Sequence, residues 1–326
     1  MRTRPGTRTA PAGDAATSTA ATTVRGTAGW RRRRRSALTH PALYLFPLPA
    51  LALYVFFFAI TAVQAVQYAV TDWDGFSADY NVVGIGNLTR AVTDDNLFRN
   101  ALTNNLKFML VVVIAQTLLS LLFAMFLTKN TRSSIALRAL FFFPTILASV
   151  SVAFIWKFIY DPNFGLINQT LDAVGLEGLK SPFLGDDSKA IFFVAVTQVW
   201  FHVGQMMVVY VAGLQQVPQE LYESARVDGA TRWHEFRYVT WPMIAPATAI
   251  VLAYTMIQAF KAFDLILGLG GNPPRASLDI LSTRIYTTFA NSQFGYAAAE
   301  SILFMIVILA VTWLQRRAVR LTQGVA

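Results

Sequence analysis

The chain has 326 residues, of which 55% are hydrophobic and only 14% charged, and its mean hydropathy is +0.45. A soluble domain carries roughly 25% charged residues, so the composition excludes an ordinary soluble enzyme and indicates an integral membrane protein. The net charge of +9 does not call for nucleic acid, because Arg31 to Arg35 stand directly before the first apolar block, where a basic run sets membrane topology. The absence of cysteine excludes disulfide and thiol chemistry, and His40, His202 and His234 are too scattered to hold a metal.

Residues 1–36 are rich in Ala, Thr, Gly and Arg without apolar periodicity, which predicts a disordered basic tail ahead of a membrane domain over 37–326. The block that follows is too long for the core of a cleaved signal peptide. Six blocks are each near the length that a helix needs to cross a bilayer: about 43–66, 106–128, 137–160, 190–212, 243–263 and 296–314. The fold class is all-α with six transmembrane helices. An even number of spans leaves both termini on one side. Arg31 to Arg35, Lys129, Arg132, Arg138, Arg226, Arg232, Arg237, Arg316, Arg317 and Arg320 fall on that face. Fewer cations, among them Lys180, Lys189 and Arg275, fall on the other. The positive-inside rule then makes both termini cytoplasmic.

Between the fourth and fifth blocks, "LYESARVDGATRWHEFRYVTWP" (221–242) is a charged island on the cytoplasmic side. Pro218 suits the first turn of a helix, with Glu220 and Glu223 near the positive end of its dipole. Leu214, Val217, Leu221 and Ala225 recur at helical steps, and Gly229 is the residue expected just past the helix end. Thr231 can cap a second helix, on which Trp233, Phe236 and Thr240 share a face, with Pro242 at the entry to the fifth span. The spacing predicts a helix, a tight turn and a second helix. That is longer than the roughly 2–8 residues that antiparallel neighbours need, and it suits a docking surface for another protein.

The segment "VPQELYESARVDGATRWHEFRYVTWPMIAP" resembles the cytoplasmic EAA loop of permease subunits in binding-protein-dependent ABC importers. Glu223-Ser224-Ala225 matches its first part with Ser for Ala. Gly229 stands at the expected distance, and Val239-Thr240-Trp241-Pro242 matches the end with Val for Ile and Trp for Leu. "WFHVGQMMVVYVAGLQQVPQELYE" and "FKAFDLILGLGGNPPRASLDILSTRIYTTFANSQFGYAAAESILF" resemble the fourth span and the last outer loop and span of the sugar-type members, and "ALTNNLKF" and "FGLINQTL" fit earlier spans.

The resemblance implies a type I ABC importer permease fold in a bacterial plasma membrane. The chain would form half of the pathway for a carbohydrate delivered by an extracytoplasmic solute-binding protein, beside a second permease subunit, usually a different chain. The chain itself would be no enzyme and bind no cofactor: no Lys follows a Gly, so it has no phosphate-binding loop. ATP and Mg would sit on partner ATPase subunits. In the family each loop of this kind, here 213–242, rests in a groove of an ATPase subunit, which assigns coupling to Glu223, Ser224, Ala225, Asp228, Gly229, Ala230 and Pro242.

For the substrate path, the aromatic and amide residues Trp200, Gln205, Tyr254, Gln258 and Phe260 offer what a sugar needs, although such residues also serve as interhelical packing. Glu300 is a carboxylate inside a span and so a functional suspect, unless it meets the outer interface or pairs with Lys261. The competing class is an ion-coupled secondary transporter, which requires inverted repeats and a midplane ion site; neither is evident. A membrane enzyme lacks any converging nucleophile, base or metal set.

Overall fold

A computed structural model of the chain describes residues 45–323, so the tail expected over 1–36 lies outside the described residues. The chain divides into two compact units, Met1–Ile60 and Thr61–Ala326. The described part of the first unit is apolar helix, Leu48–Tyr54 followed by a π turn at Val55–Ala59, and it opens the helix α1, Leu48–Ala69. The described residues hold helices and no strand.

In the second unit a short helix α2 (Gly86–Thr93) precedes α3 (Asn96–Leu127). Asp95 caps α3 by accepting from the Leu97 and Phe98 amides at 2.8 and 3.0 Å. This helix starts well before the apolar block read from about residue 106. The reason is tertiary: Asn104 Nδ2 donates to the carbonyls of Ala276 and Asp279 at 2.9 and 3.1 Å, and Asn100 also donates to Ala276. The polar first turns of α3 therefore hold a distant loop, and hydropathy does not register them.

The apolar block at 137–160 is not one straight helix. α4 (Arg132–Phe142) runs into a 3-10 turn containing Pro144, Leu147 and Ala148 are extended, and α5 (Ser149–Ile159) leaves at 100°. After the short helix α6 (Leu166–Ala173) comes α7 (Ala190–Gln215), the most buried of the long helices. Gly204 on α7 is required by close approach, since a Cβ there would run into the Phe141 carbonyl oxygen at the end of α4. Thr145 Oγ1 donates to the Phe201 carbonyl at 2.9 Å and fixes the same crossing.

The chain continues through α8 (Gln219–Val227) and α9 (Arg232–Met243), the latter with a π turn at Glu235–Thr240. α9 is bent by 66° from α10 (Ala245–Phe260). Then follow α11 (Asp264–Gly270), α12 (Leu281–Ala290) and α13 (Phe294–Gln323). Among the described residues four helices are long and apolar enough to cross a membrane, Leu48–Ala69, Asn96–Leu127, Ala190–Gln215 and Phe294–Val319, or up to six if each bent pair is one span.

One apolar core joins Phe108 and Val112 of α3, Val152 and Ala153 of α5, the first half of α7 and Leu265, Ile266 and Leu269 of α11. A second joins Leu121, Ala124 and Leu127 of α3 to Met206, Met207 and Tyr210 of α7 and Ile244, Ala247 and Val251 around α10. A third lies where α2, α3, α12 and α13 meet, with Ala91, Phe98, Ala101, Leu281 and Tyr296. In lipid, apolar side chains gain little from leaving hydrocarbon for one another, so packing of this kind and hydrogen bonds decide which helices associate.

Candidate functional site

The charged island forms an elbow. α8 begins after Pro218 and ends at Asp228, where Gly229 adopts φ +79°. The Gly229 and Ala230 amides close the end by donating to the carbonyls of Arg226 and Ala225 at 3.0 and 2.9 Å. Thr231 caps α9 through the His234 amide. The two arms are then locked by contacts that their separate periodicities do not reveal. Arg226 Nε donates to Glu235 Oε1 at 2.8 Å, and the Tyr222 and Thr240 hydroxyls lie 3.0 Å apart.

The inward face differs in detail from the expected stripe. Val217 is buried and Leu214 packs, but Tyr222 takes the place of Leu221, which is exposed, and Phe236 and Val239 pack while Trp233 stays outside. Glu223 is exposed and held by Gln219 Nε2 at 3.0 Å; Ser224, Asp228 and Gly229 are exposed beside it, and Ala225 and Ala230 are half-buried. Pro242 lies in the last turn of α9, just before the bend.

A cavity of about 410 Å³ lies where two apolar segments break. Its lining includes Leu147 and Ser149 at the α4–α5 break, Gln198, Phe201 and His202 of α7, and Tyr254, Gln258, Lys261, Phe263 and Asp264 at the α10–α11 break. Backbone that leaves the helix at membrane depth is tolerated where it lines such a space. Gln205 Nε2 donates to the Tyr254 hydroxyl at 3.0 Å, and Gln258 Nε2 reaches Gln205 Oε1 at 3.4 Å. Gln258 Oε1 is buried with no partner among the described residues. Ser149 Oγ donates to Asp264 Oδ2 at 3.1 Å across the two breaks. These groups present several donors and acceptors beside aromatic rings, an arrangement able to bind a polyhydroxyl solute.

The structure thus brings Gln205, Tyr254 and Gln258 together. Trp200 stacks edge-on against Trp156 with ring centroids 5.4 Å apart, and Phe260 is buried against Phe304. The sequence assigns no substrate-path role to Gln198, His202, Ser149, Lys261 or Asp264, which line the cavity. Their signal was available in part, because Gln198, His202 and Gln205 are spaced by four and three and share one face of α7.

Glu300 lies apart, fully buried on α13, and its partner is Arg284 rather than Lys261: Arg284 Nε is 3.2 Å from Glu300 Oε1 and its Nη2 is 2.9 Å from Asp95 Oδ2. Tyr296 donates to the same Asp95 oxygen at 2.7 Å, and Arg90 lies over the Tyr296 ring. Burial works to raise the Asp95 pKa, but the Phe98 amide, Tyr296 and Arg284 outweigh it and leave it lowered. This buried network ties the start of α3 to α12 and the start of α13.

A family model described as "Binding-protein-dependent transport system inner membrane component" matches residues 116–323. The chain belongs to that family. The permease is 33% identical over 272 residues to a probable ABC transporter permease protein of Pyrococcus horikoshii, covering 83% of this chain and 93% of the relative. It is 33% identical to the diacetylchitobiose uptake system permease protein NgcF of Streptomyces coelicolor, covering 91% and 87%. A bacterial alginate ABC transporter, solved in complex with an alginate pentasaccharide-bound periplasmic protein, contains a chain that superposes with a TM-score of 0.74 over 90% of this chain and 98% of that one, at 22% identity, which supports the fold. The chain is therefore a multi-pass transmembrane subunit of an ABC transporter. ATP hydrolysis belongs to a separate subunit, and these relationships do not support the ion-coupled alternative.

Proposed function

We propose that this permease imports a carbohydrate, released to it by an extracytoplasmic solute-binding protein, through a cavity walled on this side by α7, α10 and the two helix breaks. The observation that carries the reading is the Gln258–Gln205–Tyr254 chain of hydrogen bonds beside the cavity, with a buried amide oxygen left over. An unpartnered buried acceptor is costly, and a hydroxyl-bearing solute can satisfy it. Relatives named for diacetylchitobiose, multiple sugars and trehalose/maltose favour this class.

In this reading α1, α3, the α4–α5 pair, α7, the α9–α10 pair and α13 make six spans, with both termini in the cytoplasm of a bacterial cell. A second permease subunit, most simply a different chain, forms the other half. The elbow docks on an ATPase subunit that binds ATP and Mg. The shape of the elbow supports this role, as two short arms locked to each other can move as one body at the foot of α7. The decisive experiment purifies the assembled complex and measures ATP turnover with the solute-binding protein preloaded with individual di- and oligosaccharides. Stimulation by a saccharide is expected. Uptake into ATP-free vesicles driven by an ion gradient would overturn the proposal.

A further inference from the structure

The inner end of α3 is held in an unusual way. The last carbonyls of a helix have no partner within it, and here a side chain from α4 takes them. Arg138 donates through Nε to the Leu127 carbonyl at 2.7 Å and through Nη2 to the Lys129 carbonyl at 2.9 Å; Nη2 also contacts the Leu127 carbonyl. Its Nη1 donates to Asn130 Oδ1 at 3.1 Å. Gln215, the last residue of α7, comes to the same place from the other side, with Nε2 at 3.0 Å from the Thr128 carbonyl and 3.3 Å from Asn130 Oδ1. Asn130 Oδ1 is thus shared between an arginine of α4 and a glutamine at the root of the elbow.

The apolar packing between these helices, Leu121, Ala124 and Leu127 against Met206, Met207 and Tyr210, is non-directional. It holds the helices together without fixing their register. The planar guanidinium fork fixes α4 on the end of α3, and the Gln215 amide ties the end of α7 to the residues just past it. We infer that Arg138 and Gln215 are positioning residues for energy coupling: they clamp the inner end of α3 to the foot of the elbow, so that a displacement of the elbow carries α3 with it instead of sliding past it. The inference rests on the elbow being the ATPase contact.

Arg138 also stands among the cytoplasmic arginines that set topology. Arg138→Lys separates the two roles, because it keeps the charge that topology reads and lacks the fork. Gln215→Leu removes an exposed amide and leaves the packed interior untouched.

The test uses the complete complex with cysteine-free partner subunits, and this chain contributes no cysteine of its own. Spin labels are placed at Val227→Cys on the elbow and Phe126→Cys near the inner end of α3, both strongly exposed. Their separation is measured without nucleotide and after trapping with ATP and vanadate. With Arg138 and Gln215 intact the separation is expected to stay constant. In Arg138→Lys, Arg138→Met and Gln215→Leu it is expected to shift on trapping by about 2 Å or more, the scale of helix shifts in switching proteins. A separation that changes in the parent, or that stays constant in all three variants, overturns the clamp, as does Arg138→Lys behaving like the parent. A photocrosslink from Glu223→Cys carrying a maleimide-benzophenone, which needs no thiol on the ATPase subunit, runs in parallel. If no crosslink forms, the elbow reading fails and the clamp with it; if it forms while the variants keep the parent separation, only the clamp fails.

Discussion

Arg226 on α8 and Glu235 on α9 form a 2.8 Å ion pair across the turn at Gly229, so the two arms of the elbow are joined at a point away from the turn itself. A turn alone is a hinge, and a turn with a cross-brace is a bracket. Arg226→Glu is expected to lower saccharide uptake at least tenfold by letting the arms splay, and the swapped pair Arg226→Glu with Glu235→Arg to recover most of it. Uptake by membrane vesicles at equal permease level checks this; failure of the swap to recover would assign the two residues to separate contacts.

Glu223 and Gly229 test the elbow as a contact for the ATPase. Glu223→Lys reverses an exposed charge, and Gly229→Asp forces a side chain into φ +79°, which costs about 1 kcal/mol or more. No atom lies near enough to Gly229 for an added Cβ to clash, so the effect is on the angle between the arms and not on packing. Both variants are expected to insert normally into the membrane and to abolish uptake. Protease-protection mapping measures insertion, and normal transport would remove the elbow from the mechanism.

In the cavity, Tyr254→Phe removes the acceptor for Gln205, and Gln258→Leu removes the amide whose oxygen lacks a partner. Losing a hydrogen bond to solute of about 1–1.5 kcal/mol corresponds to roughly a tenfold change in affinity. The expected outcome is a several-fold to tenfold rise in the saccharide concentration that gives half-maximal uptake, with ATP turnover in the absence of saccharide unchanged. An equal loss in both would mean that the residues hold the helices together and do not meet solute.

Arg284 is nearly buried between Asp95 and Glu300. Removing it by Arg284→Met strands buried carboxylates and is expected to destabilise the permease by about 3–5 kcal/mol. Glu300→Gln leaves a hydrogen-bonding group against the arginine and costs less, and the double variant is expected to regain part of the loss. Thermal unfolding of detergent-purified protein orders the three.

Asp279, held in the loop before α12 by Thr283 Oγ1 at 2.6 Å, has its pKa raised by burial to about 6. The fold therefore favours the protonated carboxyl. The stability this contributes is complete below the unfolded carboxylate value near 4 and is lost as pH rises through about 6. Hydrogen exchange of the loop at 271–280, corrected for the intrinsic rate, is expected to speed up between pH 5 and 7.5, and Asp279→Asn to abolish that dependence.

How much of this the sequence held depends on range. The ends of the elbow's two arms were legible, because Pro218, Asp228-Gly229 and Thr231 act through bonds within four positions, and capping chemistry is local. The helical membrane class was legible for a different reason: the bilayer imposes length and hydropathy on each apolar segment independently. Tyr222 in place of Leu221 on the packed face, by contrast, was set by Thr240 across the turn, which the periodicity of α8 alone does not contain.

Tertiary structure decided what depends on two segments at once. The 100° break at Leu147-Ala148 and the end of α10 at Lys261 become a cavity only because they face each other around α7. The partner of Glu300 is Arg284 because α12 folds back between the N-terminal ends of α3 and α13. Isolated polar residues on apolar helices do not declare their partners, since in a low-dielectric medium any complementary group within reach would satisfy them, and which one is within reach is fixed by how the helices cross.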